Sequence, residues 1–161
     1  MVGSACDAPH AINPDRDDWQ RGDYYVVGGS GRVVAPHAVS ILAGLRAKGV
    51  GTVVSRSDSV AEALAAAGQA RALLVCASSV TSENADRSSL KLDQHELLVG
   101  LSAAAASGAL TVPLVVALMA PGAVAVAPWA HGASEILAMF LGGQETGNGW
   151  ADVLLLSLIH I

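Results

Sequence analysis

Residues 72–89, ALLVCASSVTSENADRSS, decide the fold of this 161-residue chain. Six apolar residues run directly into a polar loop, without the alternation of apolar and polar residues that a half-exposed strand shows. A continuous apolar run of this length is typical of a strand covered on both faces of a parallel sheet. Three further apolar runs, residues 52–54, 113–119 and 136–140, are also interpreted as strands.

Amphipathic segments before, between and after these runs predict four helices. The expected boundaries are Pro36 and Gly49 for the first helix, a cap at Ser57 or Ser59 for the second, Asp93 and Gly108 for the third, and a cap at Asn148 for the fourth. Alternating strands and helices favour right-handed parallel crossovers. We therefore predict an α/β fold, a three-layer α/β/α sandwich whose mostly parallel sheet has about five to six strands, over residues 1–155.

The charge pattern argues against two classes of partner. The net charge is −5 and the 9 Lys and Arg residues form no cluster, so we expect no nucleic-acid partner. No charged residue occurs between Glu96 and Glu135, but the apolar core of that stretch, residues 114–120, fits a strand better than a membrane-spanning helix. Residues 1–14 lack a basic region followed by an apolar run, and predict no signal peptide.

The two cysteines, Cys6 and Cys76, are not spaced like zinc ligands, and we predict no metal site. Cys76 lies inside the apolar run of residues 72–77. We expect it to be a small core residue rather than a disulfide partner of Cys6.

Three loops are expected at the carboxyl ends of the strands, where α/β sheets bind ligands. They are residues 28–32 (GGSGR), 78–89 and 142–148 (GGQETGN). The first loop can cradle a phosphate through its backbone N–H groups, or can simply bring the backbone close to another group. Since it lacks both G-x-G-x-x-G and a G-K-[ST] ending, the second interpretation is favoured.

Glu83 in the second loop is a candidate proton donor if it faces a cleft. The alternative is a solvated loop in which Asp86 and Arg87 pair with loop partners, and spacing alone favours this alternative. Four of the five histidines are scattered without a nucleophile at a telling distance, and we expect surface or helix-end positions for them: His10, His37, His95 and His131. Glu145 is expected to order its turn rather than to catalyse.

Four segments in order carry a family resemblance. They are 28–33 (GGSGRV), 82–87 (SENADR) with Leu90, Leu92 and Gln94 after it, 121–123 with 128–129 (PGA and PW), and 143–154 (GQETGNGWADVL). Together they resemble the C-terminal α/β-sandwich domain of family 3 glycoside hydrolases, the β-glucosidase and β-xylosidase family. The family's usual G-E-G is Ser82-Glu83-Asn84 here.

The resemblance implies a retaining glycosidase that acts on a carbohydrate substrate without a cofactor. Its nucleophile Asp would lie on an N-terminal (β/α)₈ barrel domain, which needs about 250 residues and cannot lie within this chain. Glu83 occupies the loop that supplies the general acid/base in many members. The positions that carry over as lining of the sugar site are Gly29, Ser30, Gly31, Arg32, Asp86 and Arg87.

Compared with the family, residues 1–3 start inside the first strand and residues 156–161 depart from the pattern, which predicts a non-native or disordered tail. We expect the chain alone to aggregate or to be marginally stable, and to hydrolyse nothing. Two other functions stay open. One is a non-catalytic domain that binds carbohydrate or packs on a partner, and the other is a flavodoxin-like nucleotide binder that uses residues 28–31.

Overall fold

The computed structural model describes residues 1–10 and 20–156, so residues 157–161 of the predicted tail lie outside the described part. Three parallel strands form the sheet in the order β1-β2-β3. They are β1 (Leu73–Ser78), β2 (Leu114–Met119) and β3 (Glu135–Met139). The apolar runs at 72–77, 113–119 and 136–140 thus predicted these strands to within one or two residues.

The prediction of five to six strands is wrong, because the described chain contains three. Val2 forms single parallel bridges to Ser55 on one side and to Val75 of β1 on the other. Neither segment extends into a strand. A 3-10 turn over Ser4–Asp7 follows Val2 almost at once, and the Ser55 hydroxyl accepts a hydrogen bond from the N–H of Ser57. Such local turns compete with the sheet for backbone groups, which limits each of these two pairings to a single bridge.

In the described part of the chain, four α-helices connect and flank the strands. They are α1 (Ile41–Ala47), α2 (Val60–Ala67), α3 (His95–Ser107) and α4 (Thr146–Leu154). The prediction of a cap at Ser59 is confirmed, since its hydroxyl accepts from the N–H of Glu62. Gly108 ends α3 in the left-handed conformation, as predicted.

Three predicted helix starts are wrong, and side-chain hydrogen bonds explain the differences. Helix α1 begins after Ser40, whose hydroxyl accepts from the N–H of Ala43, and not at Pro36. Asp93 does not cap α3, because its carboxylate accepts instead from the Tyr24 hydroxyl at 2.7 Å. Asn148 lies inside α4, and its amide donates to the Glu145 carboxylate one residue before the helix begins.

Helices cover both faces of the sheet. On one face, Val75 and Val116 share a core with α2 and α3, in which Leu97 and Leu101 are buried. On the other face, neighbouring strand residues pack with Ile41 and Leu42 of α1 and Trp150 of α4. Because adjacent residues of a strand point to opposite faces, β1 and β2 contribute to both cores, as their continuous apolar sequence predicted.

Strand β3 differs from this pattern. We expected both of its faces to be covered, but Glu135, Ile136 and Ala138 are exposed, and the following Phe140 is 74% exposed. The strand lies at the end of the sheet order, and pairs with β2 alone among the described strands. An apolar run shows that a strand forms, but does not show what covers it.

A disulfide joins Cys6 to Cys76, which overturns the expectation of a lone core cysteine. The 3-10 turn Ser4–Asp7 places Cys6 against the middle of β1, and both residues are fully buried. The two cysteines are 70 residues apart in sequence, so only the packing of the turn on the sheet brings them together.

No helix in the described residues is long and apolar enough to cross a membrane. Within the same residues, no group of three or more His, Cys, Asp or Glu side chains is arranged to hold a metal ion.

Candidate functional site

The loop after β1 and the glycine-rich loop meet at Glu83. The backbone N–H of Ser30 donates a 2.7 Å hydrogen bond to Oε2 of the Glu83 carboxylate. Glu83 is half-buried and Ser30 is exposed. The contact therefore places a carboxylate at an accessible point beside the carboxyl edge of the parallel sheet, where ligands of α/β folds bind.

A short two-stranded ribbon positions Glu83. Its N–H donates to the carbonyl of Gln20 at 2.8 Å, and the N–H of Gly22 donates to the carbonyl of Thr81 at 2.8 Å. Between these bonds, Arg21 and Ser82 form an antiparallel bridge. Asn84 then adopts φ 62°, a left-handed conformation that suits Asn and ends the extended segment directly after Glu83.

The glycine-rich loop fits closely around the Glu83 side chain. Gly29 has φ 89°, and a Cβ built there would overlap the Glu83 carboxylate and lie 2.6 Å from its Cβ. Only glycine accommodates both this backbone conformation and this contact. The loop therefore brings its backbone close to another group, in agreement with the favoured interpretation of its sequence.

His10 contacts the segment that follows the glycine-rich loop. We had expected this histidine at the surface or at the end of a helix. Its side chain is only 10% exposed. Nδ1 lies 2.5 Å from the Asp23 carboxylate and Nε2 lies 2.8 Å from the carbonyl oxygen of Ala35. The ring therefore links the Asp23 side chain to the backbone at Ala35. The other three histidines agree with the prediction: His37 and His131 are exposed, and His95 is the first residue of α3.

Arg87 joins two loops at the edge of the sheet. Its guanidinium donates to the Ser79 hydroxyl at 2.9 Å and to the carbonyl of Ala123, beyond β2, at 2.7 Å. Asp86 next to it is exposed and Arg32 is half-buried. The structure thus brings Gly29, Ser30 and Glu83 together, while Arg87 bonds to loop groups and Asp86 faces solvent.

The third loop lies beside the glycine-rich loop. The N–H of Gly143 donates to the carbonyl of Tyr25 at 2.9 Å. A mostly apolar cavity of about 380 Å³ lies between the two loops, bordered by Tyr25, Val27, Gly31, Val33, Leu141 and Gly142. The Asn148 and Gln144 amides donate to the Glu145 carboxylate and lower its pKa. Glu145 therefore bonds within its own turn, as we expected.

Two polar residues to which the sequence analysis gave no functional role, Gln94 and Tyr24, support the loops of the candidate site. Gln94 is buried, and its amide oxygen accepts from the N–H of Ser78 at the end of β1. Tyr24 donates to Asp93, and burial followed by this hydrogen bond raises the Tyr24 pKa far above its ordinary value. Gln94 belongs to the segment that carried the family resemblance, and that was the available signal for it.

The strands and helices define an α/β domain, and the Glu83 carboxylate lies beside the carboxyl edge of its parallel sheet. Residues 7–156 match the model of the glycosyl hydrolase family 3 C-terminal domain. The chain therefore belongs to this family. No curated protein sequence matches the chain.

Solved structures share the fold. A glycoside hydrolase family 3 β-glucosidase from Neurospora crassa matches with a TM-score of 0.74 and 23% identity, over 95% of this chain and 20% of that one. A β-D-glucoside glucohydrolase from Trichoderma reesei matches with a TM-score of 0.74 and 20% identity, over 95% and 24%. A family 3 β-glucosidase from Bifidobacterium adolescentis matches at 29% identity with a TM-score of 0.66, over 81% and 21%. The chain thus spans about a fifth to a quarter of their length.

Proposed function

We propose that this chain is part of a retaining β-glycosidase of the β-glucosidase type, in which Glu83 is the general acid/base and the glycine-rich loop forms one wall of the sugar site. The observation that supports this most is the carboxylate of Glu83, held by the Ser30 N–H where two loops meet at the carboxyl edge of the sheet. Family membership and the β-glucosidases among the similar structures add support.

Each carboxylate oxygen of Glu83 has a separate task in this proposal. Oε2 accepts from Ser30 and fixes the side chain against the glycine-rich loop. Oε1 transfers the proton, first to the glycosidic oxygen that leaves and then from the water that releases the sugar. The nucleophile, an Asp, comes from an N-terminal barrel domain. Its carboxylate would sit about 5–5.5 Å from Glu83 across the scissile bond.

The remaining residues have positioning roles in this proposal. Gly29, Ser30 and Gly31 present backbone to the sugar, and Arg32 and Asp86 line its periphery. Arg87 holds the Glu83 loop through Ser79 and Ala123. The chain alone carries one of the two carboxylates, so it hydrolyses nothing by itself.

A non-catalytic domain that binds carbohydrate or packs on a partner is the second candidate. The Ser30 hydrogen bond favours it as well, because a carboxylate that only fastens the glycine-rich loop makes the same contact. The nucleotide-binding hypothesis loses its basis, since the Ser30 N–H already donates to a carboxylate that would repel a phosphate.

Glu83→Gln in the full-length protein separates the two candidates. The Gln oxygen still accepts from Ser30, but the amide cannot donate a proton to a leaving group. We expect turnover of an alkyl β-glucoside to fall at least about 100-fold, while a dinitrophenyl β-glucoside, which needs no protonation, is partly spared. Glu62→Gln, a change at an exposed carboxylate on α2, is the control and leaves both rates unchanged. Equal, small effects of Glu83→Gln on both substrates would support the non-catalytic domain.

A further inference from the structure

We propose that a basic cleft behind the Glu83 ribbon binds a small oxyanion, such as the carboxylate, sulfate or phosphate group of a charged sugar or a free inorganic anion. The cleft has a volume of about 330 Å³. Its polar lining consists of Arg21, Arg87, Ser88, Ser89, Lys91 and Asp93. This volume is at the small end of the range for ligand pockets, which suits a compact polar group.

Charge is the first argument. The chain carries a net charge of −5, yet three of its 9 Lys and Arg side chains line this one cleft. Asp93, the one carboxylate among the described residues of the lining, accepts a 2.7 Å hydrogen bond from the Tyr24 hydroxyl. Among the described residues, three cations and one carboxylate thus line the cleft, and an anion is the ligand that this excess of positive charge attracts.

Unused hydrogen-bond donors are the second argument. Among residues 1–10 and 20–156, the exposed Arg21 side chain has no hydrogen-bond or ion-pair partner. Arg87 uses two of its five N–H groups, on Ser79 and Ala123. Lys91 donates to Glu96 at 3.1 Å in a pair whose side chains are 56% and 82% exposed. Such an exposed pair is weak, and an oxyanion competes with it readily.

The cleft is separate from the proposed acid/base. Arg21 is paired with Ser82 in the ribbon, and Glu83 is the next residue along. Because neighbouring residues of an extended segment point to opposite faces, Glu83 packs on the glycine-rich loop while Arg21 lines the cleft on the other face. An anion bound there does not contact Glu83, so the two proposals can fail independently.

Thermal unfolding of this chain tests the site. The ligands are sodium sulfate, sodium phosphate, glucuronate and the neutral methyl β-glucoside, each at a constant ionic strength set with NaCl. We expect the anions to raise the unfolding midpoint with a saturable dependence and the neutral sugar to leave it unchanged. A larger effect of glucuronate identifies a charged sugar as the ligand, and a larger effect of sulfate or phosphate identifies a free anion.

Three variants exclude a general salt effect, since sulfate also stabilises proteins by exclusion from their surface. Arg21→Gln should weaken the apparent affinity about tenfold, because it removes a charge-assisted donor. Arg71→Gln, a matched change at an exposed arginine outside the cleft, should leave it unchanged. Glu96→Gln should strengthen binding by releasing Lys91, a gain that misfolding cannot produce. The proposal is overturned if Arg21→Gln and Arg71→Gln change the apparent anion affinity equally, or if Glu96→Gln does not raise that affinity. It is also overturned if the neutral sugar raises the unfolding midpoint as much as the anions do.

Discussion

The backbone N–H of Ser30 lies 2.7 Å from Oε2 of Glu83, a residue 53 positions further along the chain. The hydrogen bond joins the loop before α1 to the loop after β1 and fixes the direction of the carboxylate. Everything proposed for catalysis depends on this contact, since an acid/base must be held in place to reach a glycosidic oxygen.

Gly29→Ala tests how closely the glycine-rich loop fits Glu83. Gly29 and Gly49 both have positive φ, 89° and 78°, but an added Cβ meets Glu83 at the first position and open space at the second. Gly49→Ala should therefore cost about 1 kcal/mol of unfolding free energy, the backbone penalty alone. Gly29→Ala should cost roughly 2–3 kcal/mol, because it also overlaps the carboxylate. Urea unfolding of the two variants measures the difference, and equal losses would mean that the loop does not pack on Glu83.

The disulfide should supply a large share of the stability. It closes a loop of 70 residues, for which chain entropy predicts about 4 kcal/mol. We expect reductant to lower the urea midpoint of the chain strongly. A double variant with Cys6→Ala and Cys76→Ala should unfold at the lower midpoint with or without reductant. If the wild-type midpoint does not respond to reductant, the two cysteines are not joined in the folded chain.

Ser40, which caps α1, should also contribute to the pH dependence of the folding stability through its hydrogen bond to Asp7. Its hydroxyl donates to Asp7 and, together with Arg56, lowers the pKa of Asp7 below its ordinary value of 3.8. Since folding lowers this pKa, the ionised carboxylate stabilises the folded chain above pH 3.8. That contribution is lost as the pH falls from there through the folded-state pKa.

Ser40→Ala and Ser59→Ala separate this coupling from helix capping. Both remove a cap, so each should lower the unfolding free energy at neutral pH by about 1 kcal/mol. Only Ser40→Ala should also flatten the loss of stability below about pH 4, because the Ser59 hydroxyl bonds to no carboxylate within residues 1–10 and 20–156. Urea denaturation midpoints of both variants, measured across the acid pH range, test this difference. Parallel pH profiles of the two variants would contradict the assigned cause.

The edge strand should make the isolated chain self-associate. Ile136 of β3 is 39% exposed and Phe140 after it is 74% exposed. An exposed apolar edge is a template for pairing with a second chain. Phe140→Ser should therefore reduce association in sedimentation velocity. Val33→Ser, a change at a residue 75% exposed in a loop, should not. An equal effect of both would indicate general stickiness rather than edge pairing.

The apolar pattern predicted the buried part of the sheet well. Strands β1 and β2 contribute alternate residues to two cores, and a continuous apolar run is the direct consequence of that arrangement. The same pattern in β3 predicted the strand but not its exposure. The apolar residues of a segment show that it can be buried. Whether it is buried depends on its position in the sheet, which is set by the order in which the strands pair.

The sequence singled out the residues of the candidate site but did not predict their contacts. The glycine-rich loop at residues 28–31 and the carboxylate of Glu83 were visible as motifs, yet the hydrogen bond between the two loops depends on how the whole chain folds. The Cys6–Cys76 disulfide shows the same limit, since local patterns carry no information about residues 70 positions apart. Charge spacing likewise showed no cluster, because the basic cleft forms only when Arg21 in the ribbon lies beside residues 87–91.

The most direct test of the account is azide rescue of Glu83→Ala in the full-length protein. With dinitrophenyl β-glucoside the first step needs no acid, so a glycosyl-enzyme forms. This intermediate accumulates, because the variant lacks the base that activates water. Azide attacks without a base. If Glu83 is the acid/base, azide restores turnover, and the product is the β-glucosyl azide, with retained configuration. Near wild-type hydrolysis by Glu83→Ala, with no glucosyl azide formed, would contradict it.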